Sequence, residues 1–285
     1  MNQSDALNEL RRKKEALLTR WPLYAPLVEW LVELLEETEL ERWSDPGAGP
    51  VFNPEEIRPR FDRGLTLFEP ASLPVDVDRT WDLYRILAEK TSRRLGSSRT
   101  TWLEVGRWPR PRFEALIQAA FEPDSKSLSR LGFEDRSETE AVLLLLRLAL
   151  RPGLKYLART AAAGLDLTRW SHGHCPVCGS APVLAEGGGE TTAHKLHCGW
   201  CETSWTFPRR RCPFCEKEMG EGLKYLYAEG EAGLRVMVCP HCQSRLKTLD
   251  RRHIHEPIVP VLDELASSHL DLAAAGPARN DGDAE

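Results

Sequence analysis

The feature that most constrains this chain is the placement of its cysteines. All eight lie between Cys175 and Cys242, and each belongs to a C-x-x-C pair: Cys175/Cys178, Cys198/Cys201, Cys212/Cys215 and Cys239/Cys242. Four pairs at this spacing far exceed what chance would place in a chain with eight cysteines, so the pattern needs a physical cause. In a C-x-x-C knuckle the backbone turns tightly enough for both sulfurs to face one cation, and two knuckles carried by a hairpin complete a tetrahedron of thiolates. Nineteen residues separate Cys178 from Cys198 and 23 separate Cys215 from Cys239, so the first spacing fits the common four-cysteine metal signature and the second exceeds it by a slightly longer hairpin. Only 10 residues separate Cys201 from Cys212, which leaves a crossed pairing open. It would split both hairpins, and sequential pairing is the expectation. Four thiolates suit zinc and rubredoxin-like iron alike. A closed site of this kind adds ~10–16 kcal/mol of apparent folding free energy, so the expected role of the metals is structural and the ribbons should unfold without them.

The cysteine region repeats itself. The order C-x-x-C, strand, glycine turn, strand, C-x-x-C, strand occurs from Cys175 to Phe207 and again from Cys212 to Leu249. Strand-like runs cover 194–198, 204–207, 224–227 and 234–238, and Gly187-Gly188-Gly189 reads as a hairpin turn because no phosphate-loop Lys and Ser/Thr follow it. Upstream the period is helical. Leu27, Leu31, Leu34 and Leu35 share one face before Ser44-Asp45-Pro46-Gly47 interrupts the pattern. A second helix runs from about Asp78 to Leu95 with its stop at Gly96, and a third follows Pro111 through Phe113, Leu116, Ile117 and Phe121. Ser137-x-x-Glu140 matches a capping box ahead of the apolar run 141–150. Five or six helices are expected before the cysteines, and a final helix over 257–275.

This pattern defines an α+β chain: a large all-helical domain (1–170), two small rubredoxin-like or zinc-ribbon modules (171–210 and 211–255), and a C-terminal helix with a disordered tail (256–285). The apolar run 141–150 contains Arg147 and is too short to span a bilayer, which needs about 20 apolar residues. The N-terminal segment has basic residues without a following apolar block, and the Arg11-Arg12 pair is followed by Lys13, Lys14 and Glu15 rather than by a hydrophobic stretch. A cytoplasmic protein with no membrane insertion is therefore expected.

Other chemistry is weakly signalled. Cys239-Pro240-His241-Cys242 alone looks like a thiol-disulfide oxidoreductase pair, but it has three sister pairs and no βαβ context. His172, His174, His194, His197 and His241 lie near the knuckles and read as supporting or surface residues, since the thiolates already fill two shells; His253 and His255 read as exposed linker. Arg209-Arg210-Arg211 beside Trp205 and Phe207 could grip phosphate and stack bases. The formal charge of -5, and 11 Lys/Arg against 10 Asp/Glu over 171–256 before the anionic metal sites are counted, weigh against nucleic acid as a partner. No nucleotide loop, G-x-S-x-G elbow or H-E-x-x-H helix occurs in the sequence, so no enzymatic role is expected.

CPVCGSAP at 175–182, LHCGWCETSWTFPRRRCPFC at 196–215 and VMVCPHCQSRLKTLD at 236–250 resemble the FdhE family of formate dehydrogenase accessory proteins, as do, more loosely, the helical first half and HLDLAAAG near the end. Glu202 and Glu216 stand where a glycine often follows a knuckle, and Arg245 where an aromatic often precedes Leu-Lys. The resemblance implies a helical domain bearing two rubredoxin-like modules and a cytoplasmic, non-catalytic, chaperone-like role. It also implies binding to the catalytic subunit of respiratory formate dehydrogenase during maturation, with iron held through the C-x-x-C motifs. Two further readings remain open: a rubredoxin-like redox protein acting on the partner's cofactor, and a zinc-ribbon nucleic-acid-binding protein.

Overall fold

Apolar residues three and four apart build the first half as a bundle. On α1 (Gln3–Arg20) the buried positions are Ala6, Leu10, Lys13 and Leu17, one stripe of the helix. A turn at Pro22–Tyr24 reverses the chain into α2 (Ala25–Leu40), which buries Val28, Leu31, Val32, Leu34 and Leu35. The short α3 (Pro54–Asp62) precedes α4 (Val77–Leu95). There Asp76 caps the start by accepting from the Arg79 amide at 3.0 Å, and Gly96, at φ 64°, closes the end in the left-handed region that glycine enters without strain. The small α5 (Thr101–Val105), α6 (Arg110–Ala120) and α7 (Lys126–Arg130) lead into α8 (Arg136–Ala161). This last helix is buried continuously from Leu148 to Leu154, and α2, α4 and α5 pack on it.

The computed structural model describes residues 3–41, 54–69, 73–96, 100–122, 126–187, 193–227, 231 and 233–274. The expected interruption at Ser44–Gly47, the Gly188-Gly189 part of the first hairpin turn and the tail beyond residue 274 lie outside them. Among the described residues eight α-helices precede the cysteines rather than five or six, because α5 and α7 span five residues each, too few to show a period. The cap of α8 is Asp135 rather than Ser137. The Asp135 carboxylate accepts from the Glu138 amide at 2.9 Å, Ser137 bonds to that same carboxylate, and Glu140 pairs with Arg136. A carboxylate two residues upstream thus takes the place of the hydroxyl. The C-terminal helix is two helices, α9 (Pro260–Ala266) and α10 (Ser268–Ala274), divided at Ser267, whose side chain bonds back to the Asp263 carbonyl.

Among the described residues the second half forms six strands: β1 (Pro182–Gly187), β2 (Ala193–Cys198), β3 (Ser204–Pro208), β4 (Lys224–Tyr227), β5 (Leu234–Val238) and β6 (Arg245–Asp250). They join in one sheet, in the order β3-β2-β1-β6-β5-β4. Every neighbouring pair is antiparallel except β1 and β6, which run parallel from Leu184 beside Lys247 to Gly187 beside Asp250. The two four-cysteine segments therefore share a continuous hydrogen-bonded sheet through the first strand of one and the last strand of the other. Helix α9 packs against β1 and α2, and α10 against β5. Buried Lys13 of α1 pairs there with buried Asp263 of α9.

Candidate metal centres

Each knuckle uses the same local geometry. The amide of the first cysteine bonds to the carbonyl five residues on: Cys175 to Ser180, Cys198 to Thr203, Cys212 to Lys217 and Cys239 to Ser244, at 2.8–3.0 Å. The residue four after the first cysteine lies at positive φ in all four: Gly179 (76°), Glu202 (58°), Glu216 (56°) and Gln243 (58°). Amides also point at sulfur, from Trp200 to Cys198, Phe214 to Cys212 and His241 to Cys239, each at 3.4 Å. Hydrogen bonds aimed at sulfur favour the charged thiolate that a metal requires.

The knuckles assemble in sequence order. Cys175, Cys178, Cys198 and Cys201 form one group and Cys212, Cys215, Cys239 and Cys242 the other, with all sulfurs of a group within 4.8 Å of one another. In the first group Cys175 and Cys201 lie 3.4 Å apart and Cys178 and Cys198 3.5 Å; in the second, Cys212 and Cys242, and Cys215 and Cys239, each lie 3.7 Å apart. All eight are free thiols in the structure. A tetrahedron with metal–sulfur bonds of 2.3 Å has edges of about 3.8 Å. The sulfurs are therefore spaced to receive a cation, and far too widely for disulfides.

The burial and crowding of these thiols give a cation its electrostatic role. Burial pushes Cys175 and Cys201 well up, while hydrogen bonds from its three neighbours pull Cys178 well down. Four packed sulfurs cannot all ionise without a positive charge among them. The second group is more open. Cys242 is exposed; there burial is outweighed by hydrogen bonds from Ser244, Cys215 and Cys239, which bring the thiol down to about 6.

The helical bundle grips the first group. Arg147, Arg151 and Lys155 form one stripe of α8. Arg147 donates to the Gly199 carbonyl and pairs with Glu264 of α9 at 2.6 Å. Arg151 lies between Glu39 of α2 and Glu202 of the knuckle, 2.6 Å from each, and Lys155 reaches the same two carboxylates at 2.9 and 3.3 Å. Burial raises the Glu202 carboxyl, but Arg151 and Lys155 more than reverse this and hold it at about 2. Phe121 packs on Trp200, ring centres 4.5 Å apart, and the amides of Leu67 and Phe68 bond to the carbonyls of Pro176 and Val177. A cleft of about 670 Å³ opens beside this junction, lined among others by Gln3, Glu39, Arg151, Tyr156, Glu202 and Ser204.

Several expected site features take other roles. Trp205 and Phe207 are core residues, 2% and 1% exposed, so they offer no stacking surface. Arg211 pairs with Glu216 at 2.8 Å and lies over the Phe207 ring, while Arg209 reaches the Tyr225 hydroxyl. His194 is buried and its imidazole is lowered to about 4 by burial, then by Arg209 and Arg235. His197 Nε2 lies 3.1 Å from a Glu186 carboxylate oxygen, His241 bonds to the Glu218 carbonyl, and His253 and His255 are exposed. One grouping escaped the sequence reading: His172 and His174 meet Glu216, 42 and more residues away, with their ligand atoms within 4.8 Å of one another. Burial, then His172, lowers the His174 imidazole.

A helical bundle bearing one sheet with two four-thiol cages places the chain among ribbon proteins with two candidate metal sites. The family description "FdhE, central domain" matches residues 174–209, the stretch that holds the first cage. Curated relatives are FdhE homologues. One from Aquifex aeolicus is 32% identical over 114 residues, 37% of this chain and 38% of that protein; one from Haemophilus influenzae is 37% identical over 103 residues, 35% and 33%. The matched stretches thus span about a third of these relatives' length. The fold is similar to the crystal structure of the FdhE protein from Pseudomonas aeruginosa, with a TM-score of 0.65 at 21% identity, covering 94% of this chain and 91% of that one. The resemblance read from the knuckle motifs is thus found again in sequence, and the α+β architecture in fold. Among the described residues no helix is long and apolar enough to cross a membrane.

Proposed function

We propose that this chain is a non-catalytic accessory protein of the FdhE type, which binds the catalytic subunit of formate dehydrogenase in the cytoplasm during its maturation. In this reading Cys175, Cys178, Cys198 and Cys201 hold one metal ion and Cys212, Cys215, Cys239 and Cys242 a second, iron or zinc. The ions keep the sheet rigid, and the cleft where the bundle meets the first cage offers the partner a surface made by both halves. The observation that carries the reading is the coincidence of the FdhE central-domain match with the first cage, within a fold similar to FdhE along nearly the whole chain. The test is co-purification of this chain with that subunit, repeated with Cys212→Ser/Cys215→Ser. Loss of the complex is expected, and undiminished binding by a protein lacking the second metal would remove that cage from the mechanism.

The solvent exposure of Cys242 favours a second reading, in which an iron ion at the open cage exchanges electrons with the partner. It requires a visible absorption that bleaches reversibly on reduction. Colourless protein containing only zinc excludes it.

A further inference from the structure

We propose that His172, His174 and Glu216 form a third metal site, for a divalent first-row cation such as zinc or ferrous iron, held by nitrogen and oxygen rather than sulfur. His172 Nδ1 lies 3.4 Å from a Glu216 carboxylate oxygen, and one ligand atom from each of the three residues lies within 4.8 Å of the others. A tetrahedral site with bonds of 2.0–2.1 Å has edges of about 3.3 Å, so small side-chain adjustments bring all three donors onto one ion. Two imidazoles and one carboxylate leave coordination positions free, and all three side chains are only half-buried, so the site opens to solvent.

The backbone around these donors is fixed in a way that ordinary packing does not require. The Trp205 indole donates to the His172 carbonyl at 3.1 Å, and the Trp170 indole to the His174 carbonyl at 2.8 Å. Between them the Gly173 amide donates to Glu216 at 2.9 Å. Gly173 sits so tightly on the third knuckle that a Cβ there would fall 2.0 Å from the Pro213 carbonyl oxygen, so only glycine permits the approach. Arg211 holds the other Glu216 oxygen at 2.8 Å and also donates to the Glu216 carbonyl. An outer partner of this kind orients a ligating carboxylate.

Glu216 itself is strained. It occupies the left-handed region at φ 56°, where Gly179 fills the equivalent place in the first knuckle and where a side chain costs about 1–2 kcal/mol. Such a residue can be kept for a task of its side chain, although Gln243, at φ 58° and bonded within its own knuckle, shows that the backbone place alone does not require one. At Glu202 that task is visible, because its carboxylate meets Arg151 and Lys155. At Glu216 the partly exposed Arg211 pair is a weak reason, and two histidines facing the same carboxylate supply a stronger one. His174 precedes Cys175 and Glu216 follows Cys215, so once both cages hold divalent ions the site lies between two centres of net negative charge, a field that draws in a cation.

The proposal is independent of the accessory role. Its test uses the full chain with both cages filled by zinc, dialysed against micromolar Co²⁺. One cobalt per chain is expected, with weak visible bands and without the near-ultraviolet charge-transfer absorption of a cobalt thiolate. His174→Ala and Glu216→Gly should each weaken this binding more than tenfold while retaining two zinc ions. Glycine suits the backbone at 216, so that variant removes the carboxylate without disturbing the knuckle. Absence of a third equivalent in the unmodified chain, cobalt appearing only on sulfur, or full cobalt binding by both variants overturns the proposal.

Discussion

Replacing Gln243 and Glu202 with glycine makes the same local change twice, and the structure predicts opposite signs. Both residues follow a knuckle at φ 58°, so glycine relieves left-handed strain of about 1–2 kcal/mol and gives back roughly 0.5–1 kcal/mol through the freedom it adds to the unfolded chain. The Gln243 side chain is exposed and bonds only to the Pro240 carbonyl of its own knuckle. Gln243→Gly should therefore stabilise by up to about 1 kcal/mol. At Glu202 the same relief is opposed by loss of the carboxylate beside Arg151, a side chain only 5% exposed and left with Glu39 as its remaining carboxylate. Breaking one side of a buried pair costs about 3–5 kcal/mol. The downward shift of the Glu202 carboxyl, against the effect of its own burial, points the same way. The two variants should separate by about 3–5 kcal/mol in denaturant unfolding of zinc-loaded protein followed by tryptophan fluorescence. The gap should also depend on pH. The folded-state value of Glu202 is depressed, so its contribution is complete above pH 4.5 and is lost as pH falls toward 2. Variants that agree within 1 kcal/mol at neutral pH would refute the claim that Arg151 and Glu202 clamp the first cage to the bundle.

Stripping metal from both cages with a chelator should abolish slow amide exchange across β1–β6 while α4 and α8 stay protected, because ~10–16 kcal/mol of apparent folding free energy resides at each cage; a sheet that remains protected would show that its packing suffices. His194 should make stability fall as pH drops from 6.5 toward 4, since its folded-state value of about 4 lies below the ordinary 6.5 and the unfolded chain binds the proton first. The full effect is about 3 kcal/mol, and His194→Phe should flatten that limb of the profile relative to the unmodified protein.

What was legible in the sequence was whatever repeats at short range. The knuckles, the strands beside them and helices such as α4 announce themselves through spacing, capping and glycine stops within a few residues. Contacts made across the chain did not. Arg147 lies within the apolar run 141–150 and Arg151 just beyond it, where local sequence gives no hint that they attach the helix to Gly199 and Glu202. Pro152 follows the apolar run 141–150 directly, and α8 continues through it to Ala161. The parallel pairing of β1 with β6 leaves no local mark because it joins positions about 60 residues apart. Glu202 and Glu216, set where glycine is the easier residue, were the one sequence signal of both the clamp and the His172–His174 cluster.

The meeting of β1 and β6 also bears on how this polypeptide is made. A ribosome delivers Leu184 long before Lys247, so β1 leaves the exit tunnel with one flank bare and stays so until the whole second repeat has followed. During that interval the nascent sheet has an unprotected border. Cutting the gene after the first repeat would make that border permanent, and the resulting fragment would be prone to pair edge to edge with its own copies.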